Sequence, residues 1–299
     1  MPPSLYPLPN PHGFSRRSFL AGSTSFAAAA LLSSCMHGGA RSDPKLSAYP
    51  FSLGVASGDP LADGMVLWTR LAPRPLEPGG GMGIENVAVS WQIAEDEGMS
   101  CVVQSGTATA NADWSHSVHV EVEGLRADRW YWYQFKAGGE VSPVGRTRTT
   151  PANASLPDRM RFAMVSCQHY ETGLYTAYDH LSREDLDLVV HLGDYIYEGA
   201  AQTGRLRQHI GGECKAIDDY RIRYALYKSD PHLQAAHASA PWVVTWDDHE
   251  VANNYADAYL KNGTPKDEFL LRRAAGYQAY FEHMPLRRRS LPRGPDMLL

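Results

Sequence analysis

At 299 residues the chain is long enough for roughly two domains, each able to bury its own core, which excludes a peptide or a small disulfide scaffold. With 43% hydrophobic, 20% charged and 10% aromatic residues it has the make-up of a folded globular protein, not of a disordered or repetitive one. The 28 basic and 33 acidic residues leave a net charge of −5, so bulk electrostatics recruit neither nucleic acid nor an anionic membrane, and an anionic substrate needs a local site.

Near the amino terminus, Ser15-Arg16-Arg17-Ser18-Phe19-Leu20 precedes an alanine-rich apolar stretch ending at Leu32. That stretch is shorter than the ~20 residues a helix needs to cross a bilayer core of about 30 Å. The pattern predicts a twin-arginine export signal over residues 1–35, with a periplasmic or extracellular destination and the twin-arginine translocase as partner. Leu32-Ser33-Ser34-Cys35 leaves two readings open, a lipobox acylated at Cys35 or an ordinary cleavage region of small residues. The other cysteines, Cys101, Cys167 and Cys214, show no CxxC spacing; a Cys101–Cys214 disulfide stays open, and Cys167 is a lone thiol in a polar cluster.

Residues 45–150 alternate short β-rich runs with turn residues. Met65–Arg70, Val87–Ile93, Val118–Val122 and Trp130–Phe135 are predicted strands, separated by turns such as Pro73-Arg74-Pro75 and Gly79-Gly80-Gly81. The spacing predicts an all-β sandwich of fibronectin or immunoglobulin type. Gly124–Tyr133 resembles the corner of such sandwiches, where a leucine plugs the core ahead of an aromatic strand. The polar, proline-bounded segment 151–159 is the predicted linker.

Residues 160–299 follow a different grammar. Met160–Ser166, Leu186–Leu192 and Trp242–Trp246 are predicted strands, and Leu174–Leu181 a helix. Continuous apolar strands between helices indicate a mainly parallel sheet covered on both faces, the start of an α/β domain. Thr264 is expected to cap a helix that begins with Pro265 and runs to about His283, burying Phe269, Leu270, Tyr277, Tyr280, Phe281 and Met284. Arg287–Arg289 reads as a solvated helix end, and the last residues as the start of a further strand.

In α/β sheets the loops at the carboxyl ends of strands line the ligand crevice. Three such loops carry polar clusters: Cys167-Gln168-His169, then Gly193-Asp194-Tyr195-Ile196-Tyr197-Glu198, then Asp247-Asp248-His249-Glu250 with Asn253-Asn254. Each is weak alone; three successive strand ends sharing thiolate, carboxylate, phenolate and imidazole point to a metal cage. His191, inside a strand, reads as a core residue or one that orients a ligand. His169, Tyr170, Arg205, Arg207 and His209 read as solvated loop residues or phosphate contacts.

Ser166-Cys167-Gln168, His191–Glu198 and Thr245–Asn254, together with Phe51–Pro60 and Val66–Arg70, resemble the alkaline phosphatase D family, a branch of the calcineurin-like metallophosphoesterases. The resemblance implies a sandwich followed by an α/β metallophosphoesterase domain. It implies a phosphoric ester hydrolase, mono- or diesterase, with Fe3+ and Ca2+ as cofactors and a metal-bound hydroxide as nucleophile. By the same resemblance Asp194 is the bridging carboxylate, Cys167 and Tyr197 bind the iron, Asp248 binds the calcium, and His249 hydrogen-bonds the phosphoryl oxygen or leaving group. Asn253 or Asn254 competes with Asp248 as the calcium ligand. The family carries later ligands that do not occur after Asn254, so residues 160–299 are expected to hold the first half of the catalytic domain, weakly active or inactive alone. The competing expectation is a secreted two-domain binding protein whose α/β half is catalytically dead.

Overall fold

The structure, a computed structural model, describes residues 46–299; the arginine pair, the apolar stretch and Cys35 lie outside them. Eleven strands follow in chain order among the described residues: β1 (Val55–Gly58), β2 (Met65–Arg70), β3 (Val87–Ala94), β4 (Val102–Ala110), β5 (Ser117–Val122), β6 (Trp130–Ala137), β7 (Glu140–Val141), β8 (Gly145–Arg148), β9 (Phe162–Val165), β10 (Leu188–His191) and β11 (Trp242–Val244). The α-helices are α1 (Thr176–Leu181), α2 (Ile217–Lys228), α3 (Pro231–Ser239) and α4 (Lys266–His283).

One sheet of six strands has the order β5-β2-β1-β11-β10-β9, and a second carries β4-β3-β6-β7 with β8 on β6. Val55, Leu67 and Val118 from the first face Val89, Ile93, Tyr131 and Phe135 from the second across one apolar core. Leu125 is buried at the corner, and the Tyr131 hydroxyl accepts the Arg126 N–H at 3.0 Å, which closes the turn before the aromatic strand.

The six-stranded sheet crosses the segment 151–159. Strands from both sides of that segment join where Gly58 pairs with Trp242 in parallel register and the Asp59 N–H donates to the Trp242 carbonyl at 3.1 Å. Gly58 has no room for a side chain: a Cβ would stand 2.6 Å from the Pro285 carbonyl oxygen and 2.8 Å from that of Trp242. The junction also explains why Met65–Arg70 reads as an unbroken apolar run. Leu67 faces the sandwich core, while Trp68 packs with Ala225 of α2 and donates through Nε1 to the Glu282 carbonyl of α4 at 3.0 Å. Arg70, fully buried, donates to His283 Nε2 at 2.7 Å.

Several expectations need correction. The parallel strands are covered on one face only: Phe162, Met164 and Val243 are 57%, 65% and 38% exposed, and the register sets Met164 beside Val190 and Val190 beside Val243. The opposite face, with Val189 and Trp242, is buried under the helices. Pro265 is itself the cap residue of α4, with Lys266 first in the helix; the Thr264 hydroxyl bonds Asn262 instead. Arg287 is buried, donating to the Asp59 carbonyl at 2.8 Å and pairing with Glu121 at 3.4 Å, so the basic run ties the chain after α4 to the sandwich. Cys101, Cys167 and Cys214 are all free thiols. Residues 291–299 form no strand.

Candidate metal centre

The parallel strands end side by side, and short bonds stitch the loops that follow. The Cys167 N–H donates to the Gly193 carbonyl and the Gln168 N–H to the Asp194 carbonyl, both at 3.1 Å. Gln168 Nε2 donates to the Tyr195 carbonyl at 2.8 Å. Glu250, wholly buried, ties the second loop to the third by accepting the Tyr195 N–H on Oε1 and the Asp247 N–H on Oε2, the latter at 2.8 Å. Its pKa is pushed up to about 8, because burial outweighs the two donors. Cys167 and Asp194 hold left-handed backbone, φ 53° and 54°, which costs a residue other than glycine about 1–2 kcal/mol and is found where a site is held against local preference.

The side chains converge on Asp194. Its Oδ2 accepts the Tyr197 hydroxyl at 3.0 Å, while its buried Oδ1 has no hydrogen-bond partner among the described residues. Asp194, Asp248 and His249 each bring a ligand atom to within 4.8 Å of the others. Burial first, then the hydrogen bond to Asp194 and the charges of Asp194 and Cys167, raise the proton affinity of the Tyr197 phenol. The thiol is solvent-exposed. Carboxylate and phenol from the second loop therefore meet a carboxylate and an imidazole from the third, and the Cys167 sulfur is not part of that 4.8 Å group. An unpartnered buried oxygen on a carboxylate that also holds a phenol and lies beside a second carboxylate and an imidazole suits a bound cation.

His249 is set by Glu198, to which the sequence pattern alone assigns no role. His249 Nδ1 stands 2.7 Å from Glu198 Oε2, and Glu198 Oε1 accepts the Asn253 N–H at 2.7 Å. A carboxylate only accepts, so Nδ1 carries the proton and the neutral ring keeps its free lone pair on Nε2. Burial works against the imidazolium, but Glu198, Asp194 and Asp248 outweigh it and raise the pKa. The side chains of Asn253 and Asn254 are exposed; what they give the site is backbone, with the Asn254 N–H bonding Asp248 Oδ2.

The remaining residues separate clearly. His191 is buried, accepts the Gly193 N–H on Nδ1 at 3.2 Å and has its pKa driven down to about 3 by burial, so it orients the second loop. Arg207 pairs with Asp230 at 2.5 Å and lies over Tyr170, and Arg205 bonds Gln202 at 2.8 Å. His169, Glu171 and His209 form a second cluster of ligand-type side chains. Its hydrogen bonds leave no ligand role for His209, which is buried rather than solvated. The Tyr227 oxygen already accepts the N–H groups of Tyr170 at 3.2 Å and Tyr197 at 3.1 Å, so its own proton goes to His209 Nε2 at 3.0 Å. His209 Nδ1 then donates to the Gly199 carbonyl at 3.1 Å, and no lone pair remains.

Two family models match: "PhoD-like phosphatase, N-terminal domain" over residues 38–151 and "PhoD-like phosphatase" over residues 162–298. Alkaline phosphatase D of Bacillus subtilis (strain 168) is 53% identical over 295 residues, which is 96% of this chain and 50% of that protein. A solved structure described as "Structure of PhoD" superposes with a TM-score of 0.83 at 56% identity, covering 86% of this chain and 50% of the other. The chain thus spans about half the length of the relatives it matches. On both its segments, the chain belongs to the PhoD-like phosphatase family.

Proposed function

We propose that this chain carries the metal-binding half of a phosphoric ester hydrolase of alkaline phosphatase D type. Cys167, Asp194 and Tyr197 hold a ferric ion, Asp194 and Asp248 hold calcium, and His249, in the imidazolium form that Glu198 favours, donates from Nε2 to the phosphoryl or leaving-group oxygen. The observation that carries the reading is the orphaned Oδ1 of Asp194, on a carboxylate that also accepts the Tyr197 hydroxyl and brings an oxygen within 4.8 Å of Asp248 and His249 ligand atoms. When bound, the cations supply Lewis acidity and an activated water for attack at phosphorus. The protein's share is orientation: Glu198 fixes the His249 tautomer on Nδ1, Glu250 locks two loops, and Cys167 and Asp194 sit on left-handed backbone just past their strands.

The names of the relatives and the donor set favour this over a binding protein with a dead α/β half, because such a protein has no use for an unpartnered buried carboxylate beside a phenol, a second carboxylate and an imidazole. Export through the twin-arginine translocase to the periplasm or beyond rests on Arg16, Arg17 and the apolar stretch that follows. The test is hydrolysis of p-nitrophenyl phosphate by the full-length protein, with and without a strong chelator and beside Asp194→Asn. Metal-dependent turnover lost in the variant supports the reading; turnover indifferent to both refutes it.

A further inference from the structure

The Tyr197 ring has two imidazoles packed on it, His169 at 4.3 Å and His249 at 4.2 Å between centroids. Their hydrogen bonds give them opposite polarity. His169 accepts the Glu171 N–H on Nδ1 at 3.2 Å, capping the single turn Tyr170–Thr172. A nitrogen that accepts an N–H is bare, so the neutral ring carries its proton on Nε2, which has no protein partner among the described residues. His249 is the reverse, protonated on Nδ1 by its bond to Glu198 and, while neutral, bare on Nε2. The site therefore offers one neutral donor and, while His249 is neutral, one acceptor beside the same phenol.

His169 borders a cleft of ≈ 580 Å³ that Cys167, Gln168 and Thr172 help to line. Arg223, which could have served as the anion clamp, is spent on the carbonyls of Tyr197, Gly199 and Gly212. This leaves His169 as a free donor next to the proposed metal ligands.

We propose that His169 binds substrate directly, donating its Nε2–H to a non-bridging oxygen of the phosphoric ester and of the phosphate product. The proposal rests on the hydrolase reading above and adds a substrate-binding residue to it.

The test uses the full-length protein with inorganic phosphate as probe, its affinity read by calorimetry and by inhibition. His169→Asn keeps an acceptor for the Glu171 N–H and removes the outer donor; His169→Gln places an amide donor near the Nε2 position. The Asn variant is expected to keep its thermal stability and metal content while binding phosphate about tenfold more weakly, the change expected for one lost hydrogen bond to a charged oxygen. The Gln variant is expected to retain most of the wild-type affinity. Wild-type affinity in the Asn variant overturns the proposal, and so does equal loss in both variants. Should His169→Asn misfold, nitrogen NMR of the wild-type ring decides: an Nε2–H tautomer whose proton shifts when phosphate is added supports the proposal, and an Nδ1–H tautomer overturns it. A wild-type protein that neither binds phosphate nor hydrolyses esters fails the hydrolase reading itself, which separates the two failures.

Discussion

Gly193 and Asp247 approach so closely that a Cβ on the glycine would lie 2.6 Å from both the Cβ and the backbone nitrogen of the aspartate. The loops bearing Asp194 and Asp248 are thus in backbone contact, and Gly193 has φ +104°, where a side chain is strained in any case. Gly193→Ala is expected to lose roughly 3 kcal/mol or more of stability, from overpacking and backbone strain together. Metal affinity should fall with it, because the two carboxylates separate. Thermal melting with a metal titration checks this; a variant with unchanged melting temperature and metal content would contradict the close-contact account.

Glu250 holds the same two loops from within. Glu250→Ala leaves the buried N–H groups of Tyr195 and Asp247 without an acceptor, at about 1–3 kcal/mol each. Glu250→Gln keeps one acceptor and leaves one N–H facing an amide NH2, so it should cost about half as much. Chemical denaturation of both variants measures the ratio, and equal losses would mean that shape, not hydrogen bonding, is the contribution of residue 250.

Much of the fold was readable from period alone. The alternation in Val87–Ala94 and Trp130–Ala137, and the apolar run in Leu188–His191, appear as strands within a residue or two of where the pattern puts them. Clustering of the donors at strand ends was readable because topology, not side-chain detail, places them there. What sequence did not reveal depends on partners distant in the chain. That Met65–Arg70 is buried on both faces requires α2 and α4, some 160 and 200 residues later, and that Arg287 is buried requires Asp59 and Glu121. Nor does a tetrapeptide such as Asp247–Glu250 say that its histidine is held by Glu198 while its glutamate ties backbone.

Lys228 gives a pH-dependent prediction. It is fully buried with no carboxylate partner among the described residues, its ammonium 4.2 Å from the centre of the Trp68 ring, and burial drives its pKa from 10.5 down to about 7. Between those two values the unfolded chain binds more protons than the folded one, so this residue makes stability rise with pH across that window. Below about 7 both states are charged and the burial cost is felt in full, offset in part by the tryptophan face, worth about 0.5–2 kcal/mol. Lys228→Met should raise the melting temperature by several degrees at neutral pH, with the gain fading toward 10.5. A gain independent of pH would show that packing, not charge, is responsible.

The open face of the parallel strands makes self-association the expected behaviour of this chain, since Phe162 and Met164 stand exposed on edge strand β9 beside unpaired backbone. Phe162→Thr with Met164→Thr should reduce light scattering of the 299-residue chain at equal concentration while leaving the far-ultraviolet dichroism unchanged. Scattering that does not change would move the sticky surface elsewhere.

The central claim is that the Cys167 thiol, the Asp194 carboxylate and the Tyr197 phenol hold one ion together. Elemental analysis of the full-length protein beside its Cys167→Ser variant tests it most directly. The account predicts near-stoichiometric iron in the wild type and its loss from a variant that still folds; iron retained in full by the variant would contradict it.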